Sequence, residues 1–239
     1  VLTAIAIVPS APVLVPRLAG AATAELTDLR DAVRTAAAAL PPRWLVIGSG
    51  PDDEVITAPA AGTFAGYGVD VPVTLSPDDG VAAVALPLCA LVAGWIRGQT
   101  QPQAWADVRV YATGLDVDAA VDRGRGLRAE LDAAAEPVGV LVVADGAATL
   151  TPPAPGGYDP DSVPVQQALD DALAGGDLAA LATLPDGVVG RVAYQVLAGL
   201  AEPAPRSARE LYRGAPYGVG YFAGLWTLGG QERSDRGSG

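Results

Sequence analysis

Residues 138–143, Val-Gly-Val-Leu-Val-Val, carry no polar side chain. A strand with one wet face alternates apolar and polar residues; one without any polar position must be covered on both faces. That single run calls for helices above and below a largely apolar sheet.

The rest of the chain fits such a plan. Residues 2–8 are apolar and branched and stop at Pro9, which reads as a strand. Further strands are expected over 44–47, 108–113 and 217–226, and over 69–75, where Pro72 demands an edge or bulge position. Over 20–40, Leu26, Leu29, Val33, Ala37 and Leu40 recur at threes and fours, predicting an amphipathic helix stopped by Pro41 and Pro42. An apolar helix over 81–96 would be capped by Asp78 and Asp79 and kinked at Pro87. Asp116 caps a helix to 135, weakened by Gly124 and Gly126. Helices follow over 162–174, from Asp177 to 181, and over 188–200. Residues 48–54 read as a turn, 56–68 as irregular and 145–161 as a long loop. The expectation is an α/β fold with a central apolar sheet flanked by helices on both faces. It forms a single domain over 1–228, followed by a polar, mobile tail over 229–239.

Charge and cysteine content narrow the function classes. Asp plus Glu number 27 against 15 Lys plus Arg, a net charge of −12. Arg123, Arg125 and Arg128 are interspersed with Asp122, Glu130 and Asp132 instead of forming a basic patch, so nucleic acids and anionic membrane surfaces are not expected partners. Cys89 is the only cysteine, which rules out an intrachain disulfide and a thiolate zinc cluster and fits a reducing cytoplasm. Residues 1–8 lack a basic leader, and the longest apolar run, 81–96, is short and broken by Pro87 and Gly94. A cytoplasmic protein without a signal peptide or membrane span is expected.

The chain has no histidine, so its chemistry excludes an imidazole base or metal ligand. In open α/β sheets the ligand crevice lies beyond the carboxyl ends of the strands. Residues 9–16, 48–54 and 144–151 are candidates for that edge, and they converge only if their strands are parallel neighbours. Ser10 and Ser49 offer hydroxyls but no G-x-S-x-G elbow. Asp52, Asp53 and Glu54 could serve a hard divalent cation or cap a solvated turn. Asp145, directly after the buried strand, could serve a ligand or cap a turn, with Thr149 and Thr151 nearby. Cys89, Trp44 and Trp95 lie in apolar runs and read as core residues.

Several segments resemble a known family. Ile7-Val8-Pro9-Ser10-Ala11-Pro12-Val13-Leu14-Val15-Pro16 resembles the opening of the class III extradiol ring-cleavage dioxygenase catalytic-subunit superfamily, whose relatives include the Memo-like proteins. The likeness is closest to the LigB-like proteins of actinobacteria. Residues 140–148 with Ala154-Pro155-Gly156-Gly157-Tyr158-Asp159-Pro160 extend it, as do Gly190-Arg191 with 195–199, and Ala215-Pro216-Tyr217-Gly218-Val219-Gly220-Tyr221-Phe222. The resemblance implies an α/β fold with one cleft. Active members hold non-haem Fe(II) with two histidines and a glutamate, use a further histidine as acid/base, and insert dioxygen into a catechol-type ring.

Carried over by residue, Ser10 stands where the resemblance places an iron-binding histidine. Ser49 and Gly50 supply no second one, and Ala148-Thr149 replaces a serine–histidine pair. Glu210 is a candidate for the glutamate ligand by rough position. Hydroxyls are poor Fe(II) ligands, so no cofactor is expected. Three readings follow, in order. The first is a relative that has lost ring cleavage and binds a small ligand or a partner protein, with homo- or hetero-oligomers in view. The second is an enzyme of different chemistry, a hydrolase or divalent-metal enzyme using Asp145, Asp53 and Glu54. The third is an extradiol-type dioxygenase with an unusual metal site.

Overall fold

In the computed structural model, residues 1–20 and 24–228 are described; the tail expected over 229–239 lies outside the described residues. The strands are β1 Leu2–Val8, β2 Arg43–Gly50, β3 Glu54–Ile56, β4 Ala61–Thr63, β5 Pro72–Thr74, β6 Trp105–Ala112, β7 Val138–Val143, β8 Ser207–Gly214 and β9 Tyr221–Thr227. The helices are α1 Pro16–Ala19, α2 Thr27–Ala38, α3 Leu88–Thr100, α4 Val117–Ala133, α5 Ser162–Gly175, α6 Leu178–Ala182 and α7 Arg191–Leu200.

The apolar run becomes β7, at the centre of a seven-stranded sheet ordered β3-β6-β2-β7-β1-β9-β8. Its side chains divide by alternation. Leu141 and Val143 join a core with Leu29 and Val33 of α2 and Val92 and Ile96 of α3. Val140 and Val142 join a second core with Leu127 of α4, Leu169 of α5 and Val196 of α7. The result is a single α/β unit whose mixed sheet has helices on both faces. Its four inner strands run parallel, β1 and β2 flanking β7 and β6 lying outside β2. The outer strands β3, β9 and β8 pair antiparallel to their neighbours. No helix among the described residues is long and apolar enough to cross a membrane.

Local chemistry explains where the elements depart from expectation. Of the helix expected over 20–40, residues 21–23 lie outside the described residues, α2 begins at Thr27, and a separate turn of helix, α1, lies at Pro16–Ala19. β2 runs on through Gly50, absorbing half of the expected turn. Residues 56–68 are not wholly irregular: β4 pairs with β5 in a small sheet of their own, with Pro72 at the first position of β5. The apolar run over 81–96 is not one kinked helix. Pro87, extended at ψ 156°, is the N-cap of α3, and Asp78 and Asp79 cap nothing there. A proline restricts the residue before it to extended backbone, so helix can begin at Leu88 but not continue through Leu86.

Asp116 does cap α4, accepting a hydrogen bond from the Ala119 N–H at 2.9 Å, and Asp177 caps α6 through the Ala180 N–H at 3.1 Å. The glycines of α4 have opposite fates. A Cβ on Gly124 would lie 2.0 Å from the Val196 carbonyl oxygen of α7, and one on Gly199 of α7 would lie 2.0 Å from the Val121 carbonyl oxygen of α4. The two helices therefore meet backbone to backbone. Gly126 faces open space.

Candidate functional site

Because β1, β7 and β2 are adjacent and parallel, the segments that follow them share one edge of the sheet. There the structure brings Ser10 and Asp145 together. The Ser10 N–H donates to Asp145 Oδ1 at 2.8 Å, joining the turn after β1 to the loop after β7. Asp145 Oδ2 accepts no hydrogen bond from any described residue.

Tyrosines and main-chain groups surround Asp145. The Tyr194 hydroxyl of α7 donates to the neighbouring Ala144 carbonyl at 3.0 Å, and the Gly190 N–H donates to the Asp145 carbonyl at 2.8 Å. Only glycine fits at 190, since a Cβ there would stand 2.6 Å from the Ala144 Cβ. Burial pushes the Asp145 carboxyl up to about 7, against the opposing pull of the Ser10 N–H. Burial and the Asp145 charge together hold the Tyr194 and Tyr221 phenols above their usual range. Near neutral pH Asp145 can thus either accept or donate a hydrogen bond.

The loop after β7 is held by a second buried polar group. Gln166 of α5 accepts from the Ala147 N–H through Oε1 and donates through Nε2 to Asp170 Oδ1, both at 2.8 Å. Its amide sits between two glycines: a Cβ on Gly146 would lie 2.0 Å from Gln166 Oε1, and one on Gly220 would lie 2.2 Å from its Cδ. Burial raises the Asp170 carboxyl to about 6, with Gln166 and Arg213 opposing.

Ser49 and Gly50 end β2, one strand beyond β7 from Ser10. Thr149 lies further along the loop, where its carbonyl accepts from the Asp159 N–H at 2.9 Å and the Ser162 hydroxyl at 3.3 Å. The side-chain hydroxyls of Ser10, Ser49 and Thr149 make no hydrogen bond with a described residue. Cys89 is a core residue as expected, and it packs on the same edge. A Cβ on Gly48 would lie 2.5 Å from Cys89 Sγ, so the glycine lets the first turn of α3 settle onto β2. Burial pushes the thiol up to about 11, backbone N–H groups oppose, and the Glu54 carboxylate adds to the rise. That thiol stays protonated and unreactive near neutral pH.

The remaining acidic candidates are elsewhere. Asp53 accepts from the Ala112 N–H at the end of β6 at 2.8 Å and lies 3.5 Å from Arg123 of α4. Glu54 begins β3, at the outer edge of the sheet. Glu210 lies on β8 at the opposite edge, where it pairs with Arg213, which also bridges Asp171 at 2.7 Å. Among the described residues no three His, Cys, Asp or Glu side chains come together as a metal site. The hydroxyls and the one carboxylate at the shared edge do not fit Fe(II), which calls for imidazole and carboxylate together.

Sequence reasoning missed Gln166, Tyr194 and Tyr221. Gln166 and Asp170 did carry a signal, two polar residues four apart on the buried side of an apolar helix.

No protein-family model matches the chain, and no curated protein matches it. Among solved structures, the chain is similar to the uncharacterized protein JW3007 from Escherichia coli K12, with a TM-score of 0.59 at 10% sequence identity over 95% of this chain and 100% of that one. At that identity the likeness extends to the fold alone.

Proposed function

We propose that this chain is a LigB-like relative of the class III extradiol ring-cleavage dioxygenases that lacks the iron site and binds a small ligand in the crevice at the ends of β1, β7 and β2. The observation that carries the reading is the Ser10–Asp145 hydrogen bond at 2.8 Å. It puts the serine that replaces a family histidine beside Asp145, a half-buried carboxyl of that edge. The crevice then offers hydroxyls and a carboxyl that titrates near neutrality, a set suited to hydrogen-bonding a small oxygen-bearing molecule. A hydrolase or divalent-metal enzyme drawing on Asp145, Asp53 and Glu54 has less support. Asp53 is occupied by the end of β6 and by Arg123, away from Asp145.

The test uses the purified full chain with catechol as probe. The expected results are no stoichiometric iron by elemental analysis and no oxygen uptake with catechol after ferrous iron is added. Saturable catechol binding is expected by calorimetry, weakened about tenfold in Asp145→Ala, the loss of one charge-assisted hydrogen bond. Stoichiometric iron with oxygen uptake would overturn the loss of ring cleavage. Unchanged catechol binding in the variant, or none in either protein, would overturn the crevice assignment.

A further inference from the structure

A concavity lies away from the strand ends that carry Ser10 and Asp145. It is a cavity of about 460 Å³ between the outer strands β3 and β6 and helix α4. That size falls within the range of small-molecule sites. Val55, Tyr111 and Leu127 supply apolar surface, and Arg109, Arg123 and Glu130 supply charge.

The pairing of those charges is incomplete. Arg123 is committed to Asp53 at 3.5 Å, and Asp122, also on the wall, is committed to Arg125 at 2.8 Å. Arg109 and Glu130 border the same cavity, yet neither side chain has a hydrogen bond or ion pair with any described residue. Arg109 Nη1 is fully buried without an acceptor. That nitrogen is closed to the cavity as well, so it is the rest of the guanidinium, bordering the cavity without a partner, that an anionic group there would pair with. The acidic groups of the wall outnumber the guanidinium groups, which disfavours a dianion such as phosphate.

We infer that this cavity binds a small zwitterion, its carboxylate on Arg109 and its ammonium on Glu130, with the intervening carbon chain against Val55 and Leu127. This inference does not depend on the catechol-class reading of the other crevice.

The experiment titrates the full chain with 4-aminobutanoate, 5-aminopentanoate and 6-aminohexanoate by calorimetry, with hexanoate and hexylamine as single-charge controls. At least one zwitterion is expected to bind tenfold or more tighter than both controls. Arg109→Met should reduce it to the level of the amine, and Glu130→Gln, at an exposed helix position that does not threaten folding, to the level of the acid. Gly126→Leu, which enters open space on the cavity wall, should abolish binding in a folded protein. Absence of saturable binding for all three zwitterions overturns the inference, as does binding that survives both Glu130→Gln and Gly126→Leu unchanged.

Discussion

The inner strand ends and the outer cavity make opposite use of acidic residues. At the inner strand ends one carboxyl, Asp145, sits among tyrosines and backbone, fixed by a single N–H. At the outer edge Asp53, Asp122 and Glu130 stand among arginines with open solvent beside them. The count of acids favours the outer site, but burial and not number decides what a carboxyl costs to ionise, and it is burial that raises Asp145. The glycines differ in the same way. Gly146 and Gly220 grip Gln166 in the inner region, and Gly126 touches nothing in the outer one.

The largest test of that contrast is pH. A free aspartate titrates near 4, and folded Asp145 near 7. Between those values the folded protein holds a proton that the unfolded chain has released, so stability falls as pH rises from about 4 to 7. The fall from this group is at most about 4 kcal/mol. Chemical denaturation across that window should show the decline, and Asp145→Asn should remove the portion reaching to pH 7. Asp170→Asn should remove only the portion that ends near pH 6. A flat profile in the native protein would erase the distinction between the two regions.

Next in size is Gly146→Ala, which drives a methyl into Gln166 Oε1 and should cost about 1–3 kcal/mol in denaturant titration. Its counterpart Gly126→Ala should stabilise by up to about 1 kcal/mol, since a helical glycine gains a methyl in open space. Equal effects at the two glycines would contradict the difference in packing. The smallest effect is expected for Asp53→Ala, about 1 kcal/mol or less, because its ion pair with Arg123 is exposed and long and the hydrogen bond it accepts from the Ala112 N–H is exposed too; a larger loss by thermal melting would make the outer edge structural.

How far the sequence disclosed this arrangement depended on how local each signal was. β7 was plain from its composition, and the caps Asp116 and Asp177 act within a few residues of themselves. β8 was missed because a register shift between Glu210 and Tyr212 breaks the alternation that would have marked it. Asp145 was visible as an acid directly after an apolar strand. Its partner was not: the Ser10 N–H is 135 residues away. Likewise nothing local tells that Gly146 and Gly220 make a slot for Gln166, or that Glu210 is paired off with Arg213 at the far edge. The resemblance marked Ser10 and Thr149, and the fold set Ser10, not Thr149, directly on Asp145.

The seam where Gly124 and Gly199 let α4 and α7 touch has a mechanical consequence. At this crossing main chain meets main chain, so no side chain sets the distance between the helices. Helix α4 is the wall of the outer cavity, and Tyr194 of α7 holds the Ala144 carbonyl beside Asp145. A change in the spacing of either helix at the crossing would therefore have to move the other's backbone, because no rotamer change there could make room.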